Sequence, residues 1–293
     1  MVIANASDLS SPRAPSRRRQ PATKARRLLP LFALWLLALP APDAAAQGTG
    51  NGDLAILHDR CVAFAQANPK DGLERAKAWR EQGGGFYADH CIAMALFQLH
   101  DFAQAAQRFE QLATATLGMP PQQRAQVLDQ AGQAWLAGRE PARAKAAFDA
   151  AIALNGDSAD LRIDRAEAFA DMQQYWDAID DLNRATEIAP ERAEAYIYRG
   201  SAYRHVDSRD LALDDVQHGL SLSPNSTIGL LERGILRRLA GDIAGARQDW
   251  QRVVELAPDS AEGSAAAVNL ANLKGKGPAD KPVAQAPKTP KTP

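Results

Sequence analysis

The 293-residue chain is 46% apolar but only 6% aromatic, rich in Ala, and carries a formal net charge of −1. Abundant Ala with few Val and Ile favours closely packed helices over sheets. The charge is uneven: 1–46 holds seven Lys/Arg and two Asp/Glu, 274–293 holds five Lys and one Asp, and the body between has 22 basic and 32 acidic residues. That body repels phosphate backbones, which argues against nucleic acid as a partner.

The first segment, 1–46, reads as an export signal. Arg17, Arg18, Arg19, Lys24, Arg26 and Arg27 form a basic start, Leu28 to Leu39 an apolar run broken only by Pro30, and Ala44-Ala45-Ala46 a small-residue cleavage site before Gln47. An uncleaved anchor is the alternative, but a dozen apolar residues is short against the ~20 that span a bilayer. Ser16-Arg17-Arg18-Arg19 has the look of a twin-arginine signal, yet no apolar residues follow it directly. No Cys stands near the cleavage point, which argues against a lipoprotein. The expectation is a mature protein in the periplasm of a Gram-negative bacterium, with no membrane span once the signal is removed.

Next, 47–85 reads as a degenerate helical hairpin, Asp53 to Ala67 and Asp71 to Gln82, stopped by Gly83-Gly84-Gly85. From 86 to 260 the chain repeats itself. Segments 125–158, 159–192, 193–226 and 227–260 superimpose at a spacing of 34 residues, and 86–124 fits with five extra residues around Leu117-Gly118-Met119-Pro120-Pro121. The eighth position holds Ala93, Gly132, Ala166, Gly200 and Gly234, and the twentieth Ala105, Ala144, Ala178, Ala212 and Ala246. Small side chains there let two helices approach. The twenty-fourth position is large: Phe109, Phe148, Leu182, Val216 and Trp250. Pro190, Pro224 and Pro258 end the second helix because proline has no N–H to continue it. Downstream, 261–273 is a capping helix that covers the last repeat. Residues 274–293, rich in Pro, Lys and Ala, are expected to form a disordered, partly polyproline tail.

These columns resemble the tetratricopeptide-repeat (TPR) family over 86–260, in the bacterial style with Arg165-Ala166, Arg199-Gly200 and Arg233-Gly234. Arg237 departs from the usual aromatic at the eleventh position, and Gly156 and Leu117 from the terminal Pro. The resemblance implies an all-α solenoid of stacked antiparallel hairpins whose first helices line a concave, partner-binding groove. It places the groove at Ile163, Ile197 and Leu231 (fifth position), Glu167, Ser201 and Ile235 (ninth), and Arg204 and Arg238 (twelfth). The apolar row at the fifth position is expected to be a docking floor. Asp160, Glu167 and Asp171 add an acidic stretch, which suits a partner segment with a basic residue. The chaperone-binding subclass clamps a terminal carboxylate with Lys and Asn, and the fifth and ninth positions carry neither.

Chemistry has few footholds. There is no Gly-x-Ser-x-Gly, no His-Glu-x-x-His and no phosphate-binding loop, so no enzyme activity and no cofactor are expected. Cys61 and Cys91 are expected to form a disulfide in an exported protein. The alternative is a metal site built from His58, Cys61, His90 and Cys91, which would make the chain a metal-dependent envelope enzyme. Adjacent residues such as His90 and Cys91 point about 100° apart on a helix, which disfavours it. Arg165, Arg199 and Arg233 each stand 16 residues before Asp181, Asp215 and Asp249, which reads as a structural ion pair repeated in each hairpin. The expected function is therefore a protein- or peptide-binding scaffold or adaptor of the cell envelope. A regulatory subunit of an envelope enzyme or secretion machinery is the other non-catalytic alternative.

Overall fold

A computed structural model of the chain describes residues 51–116 and 118–275. The expected signal segment, Leu117 and the tail beyond 275 lie outside the described residues.

The helices are α1 (Asn51–Ala67), α2 (Pro69–Trp79), α3 (Gly85–Gln98), α4 (Phe102–Ala115), α5 (Pro121–Ala137), α6 (Pro141–Leu154), α7 (Ala159–Asp171), α8 (Tyr175–Ile188), α9 (Ala193–His205), α10 (Arg209–Leu222), α11 (Thr227–Leu239), α12 (Ile243–Leu256) and α13 (Ala261–Gly275). There is no strand among the described residues. Each odd helix packs on the even helix that follows, and α5, α7, α9, α11 and α13 touch in succession. The odd helices thus form one layer and the even helices the other, an α-solenoid of hairpins closed by α13. The glycines at 83–85 mark a kink between α2 and α3, where Gly83 at φ 92° and Gly85 at φ 50° leave the helical region.

Local chemistry sets the hairpin turns. At the fifteenth repeat position His100, Arg139, Gln173 and Asp207 adopt φ of 60–62°, and Gly241 adopts 88°. A left-handed residue other than Gly costs roughly 1–2 kcal/mol. The cost is offset by one repeated bond, in which the next N–H reaches back to a carbonyl five residues earlier: Asp101 to Leu96 (3.0 Å), Gln174 to Phe169 (2.8 Å), Asp242 to Arg237 (2.8 Å). Asp101 and Asp242 then cap the second helix of their hairpins through a side-chain oxygen, and Ser158 and Ser226 cap the first helix of the following hairpin in the same way.

The packing explains the columns. A Cβ at Gly200 would lie 2.6 Å from Val216 Cγ2 and 2.8 Å from the Ala212 carbonyl, and at Gly132 and Gly234 it would strike the Phe148 and Trp250 rings. The eighth position is small because the twenty-fourth is large. The core falls into three successive clusters, 65–168, 159–202 and 212–266, as expected for a fold in which each hairpin contacts mainly its neighbours.

Candidate binding groove

The Arg–Asp pairs are rungs inside each hairpin. Arg165 donates through Nε and Nη2 to Asp181 at 2.6 Å each, Arg199 to Asp215 at 2.7 and 2.8 Å, and Arg233 to Asp249 at 3.0 and 2.7 Å. A third guanidinium nitrogen adds a link that the 16-residue spacing did not suggest. Arg165 Nη1 reaches Asp149 of the preceding hairpin (2.7 Å), and Arg199 Nη1 reaches Asn183 and Thr186 (3.0 Å each). Arg165 and Arg199 therefore tie their hairpins to the one before, whereas Arg233 bonds only Asp249 within its own, among the described residues. Arg162 and Arg237 add second cations to Asp181 (3.0 Å) and Asp249 (2.8 Å), whereas Asp215 has Arg199 alone among the described residues.

The expected docking floor is corrected. Ile163 and Ile197 are 5% and 1% exposed. Ile197 inserts between α10 and α11, where Gly219 and Gly229 make room: a Cβ on either would lie 2.6 or 2.9 Å from its side chain. Ile197 thus stitches two hairpins together, Ile163 is buried in the core of its own region, and only Leu231 is half-buried. Ser201 and Ile235 are also half-buried, and Glu167 and Arg238 are exposed. Arg204 does not stand free, because its guanidinium binds the buried carboxylate of Glu232 on α11.

What the odd-helix layer does present runs in sequence along the solenoid. At the α1 end His58 Nε2 and His90 Nδ1 stand 3.0 Å apart, and His90 Nε2 is 2.8 Å from Gln130 Oε1. Burial first, and then His58, pulls His90 down to about 4 against the lift from Gln130, so it is neutral at physiological pH. Beside it Cys61 and Cys91 are joined by a disulfide that links α1 to α3. That bond consumes both sulfurs the metal reading needs, and no group of three or more metal-ligating side chains occurs among the described residues.

Asp129, Asp160, Asp164, Glu167 and Asp171 follow on α5 and α7. Burial, and then the charge and hydrogen bond of Asp164, push Asp129 up to about 8. The two carboxyls therefore hold one proton between them near neutral pH. Asp164 and Glu167 are raised too, burial first; the charges of Asp164 and Asp171 add to it at Glu167, whereas hydrogen bonds with Asp129 and Gln133 offset part of it at Asp164. Asp160 pairs with Arg192 at 2.5 Å, but Asp164, Glu167 and Asp171 have no ion-pair partner among the described residues. The sequence reading stopped at the last three repeats. The fifth position of the earlier ones, His90 and Asp129, was the available signal. At the other end α11 exposes Ile228 (37%) and Leu239 (40%) beside Arg238. Arg237 is committed to Asp242 and Asp249, whereas Arg238 has no carboxylate partner among the described residues.

No family profile matches the chain. No curated protein matches it either. Among solved structures, the crystal structure of MamA is 20% identical over 56% of this chain and 94% of its own, with a TM-score of 0.48. MamA 41-end from Desulfovibrio magneticus RS-1 is 21% identical, over 63% and 97%, at 0.49. The Arabidopsis OM64 TPR domain is 27% identical, over 40% and 98%, at 0.39. The 34-residue period, the left-handed turn at the fifteenth position and the fit of the eighth position to the twenty-fourth give this chain the fold of a tetratricopeptide-repeat solenoid.

Proposed function

We propose that the chain is an exported, non-catalytic scaffold or adaptor of the bacterial cell envelope that grips a protein or peptide segment along its odd-helix face, the concave face of TPR solenoids. The observation that carries this reading is the division of that face. Asp164, Glu167 and Asp171, none of them in an ion pair among the described residues, lie at one end, and exposed Ile228, Leu239 and Arg238 at the other. Apolar contacts would supply most of the affinity, and the charges would orient the partner and steer its approach. Export is supported by the basic run, apolar run and Ala44-Ala45-Ala46 of 1–46. Among the described residues no helix is long and apolar enough to cross a membrane.

The test is affinity capture from envelope extracts with three chains: wild type, Glu167→Arg/Leu239→Asp on the odd-helix face, and Trp176→Asp on α8. All three sites are exposed, so folding should survive each change. Loss of the same captured protein with the first variant alone supports the reading. Capture that survives it, or that fails only with Trp176→Asp, overturns it.

A further inference from the structure

The odd-helix face has a ligand within reach: a downstream segment with four Lys and one Asp, against the acidic stretch of α7 and Arg238 of α11. We propose that the basic downstream segment of this chain, residues 276–293, docks in the groove in cis, with Asp280 on Arg238 and with Lys288 and Lys291 on Asp164, Glu167 and Asp171. This rests on the groove reading above and goes beyond it by naming an occupant.

Distance supports the order. Neighbouring odd helices packed side by side lie roughly 10 Å apart, which puts α11 about 10 Å and α7 about 30 Å from α13. A Pro-rich chain covers up to about 3.1 Å per residue. Counting from Gly275, Asp280 can reach about 15 Å, Val283 about 25 Å, Lys288 about 40 Å and Lys291 about 50 Å. Asp280 thus has enough chain to meet Arg238, and Val283 to cover Leu239. Both lysines reach α7 with slack for the turn back over α11.

Charge supports the pairing. Four Lys and one Asp stand in 276–293, and Glu167 and Asp171, the exposed α7 carboxylates they would meet, make no ion pair among the described residues. A segment of another molecule must arrive by diffusion. A tethered one acts at an effective concentration on the order of 1 mM, so contacts too weak to hold a free peptide still fill the groove. An outside partner would then have to displace it.

The experiment uses the full mature chain. Zero-length carbodiimide coupling joins amines to carboxylates in direct contact, and mass spectrometry maps the joined residues. The expected product links Lys288 or Lys291 to Asp164, Glu167 or Asp171, and concentrated salt abolishes it. Coupling a mixture of isotope-labelled and unlabelled chains separates the alternatives, because a cis link never carries both isotopes. Mixed-isotope products would mean that a second copy supplies the segment, and links confined to even-helix carboxylates would mean that the groove is not its site. Either result overturns the proposal. In the capture assay, Lys288→Glu/Lys291→Glu should raise apparent affinity for the partner by roughly tenfold, since the competitor is removed. If capture is unchanged by this variant but still lost with Glu167→Arg/Leu239→Asp, the groove reading stands and the cis occupant falls.

Discussion

Arg199→Ala is the sharpest probe of how the solenoid is held together. It strips Asp215 of two charged hydrogen bonds, 2.7 and 2.8 Å, and takes a donor from Asn183 and Thr186. The hydrogen bonds to Asp215 hold the Arg199 guanidinium above its usual pKa, so the arginine is charged at any working pH. An exposed ion pair is worth ~0–1 kcal/mol. Removing one partner of a buried pair costs ~3–5 kcal/mol, because the remaining charge has no compensation. The two side chains are 16% and 14% exposed, so residual water softens the penalty to about 2–3 kcal/mol. For a folded unit of this size that lowers Tm by about 5–10 °C. Arg233→Ala should cost less, since Asp249 keeps Arg237 at 2.8 Å. Arg199→Met with Asp215→Leu removes both charges and should recover most of the loss. The assay is urea denaturation followed by circular dichroism, closed into a double-mutant cycle. A coupling below ~0.5 kcal/mol at Arg199–Asp215 would place the pair among exposed ones and refute the reasoning.

Four other outcomes follow from the packing and the titrations. Gly234→Ala drives a methyl group into the Trp250 ring and should lower stability by about 1–3 kcal/mol, read by thermal melting; an unchanged melt would mean that the ring moves freely. Gln173→Gly relieves a left-handed residue and should be neutral or stabilising by up to about 1 kcal/mol, whereas Gly241→Ala should cost about 1 kcal/mol, both by the same measurement. Reduction of Cys61–Cys91 releases a closure of 30 residues and should cost roughly 3–4 kcal/mol, seen as a fall in Tm with dithiothreitol that Cys61→Ser/Cys91→Ser does not show. Asp129, with its pKa pushed up to about 8, keeps a proton in the folded state that the unfolded chain has released between about pH 4 and about pH 8; stability therefore falls as pH rises through that window, and Asp129→Asn should flatten the slope of Tm against pH.

The repeat columns were legible because each is a contact at fixed separation within one hairpin. Gly234 against Trp250 and Arg233 against Asp249 recur in the sequence at the spacing the hairpin imposes. The disulfide was legible too, since two cysteines on the first helices of successive hairpins stand within bonding reach of each other. What failed was exposure at the fifth position. Ile197 is buried because Gly219 and Gly229 open a hole for it, and both lie outside its own repeat column. The Asp129–Asp164 pair was hidden for the same reason: it joins the fifth position of one repeat to the sixth of the next. Arg204 illustrates the limit again, being lined up as a free groove charge but held by Glu232 one hairpin further on.

The central claim is that partners bind the odd-helix face. A photo-crosslinking amino acid placed singly at Glu167 or Leu239 on that face, and at Trp176 or Leu222 on the even helices, tests it in living cells. All four positions are exposed, so none should perturb the core. The account expects one discrete cross-linked partner band from Glu167 and Leu239 and none from Trp176 and Leu222. A discrete band from the even-helix positions, with Glu167 and Leu239 silent, would contradict it.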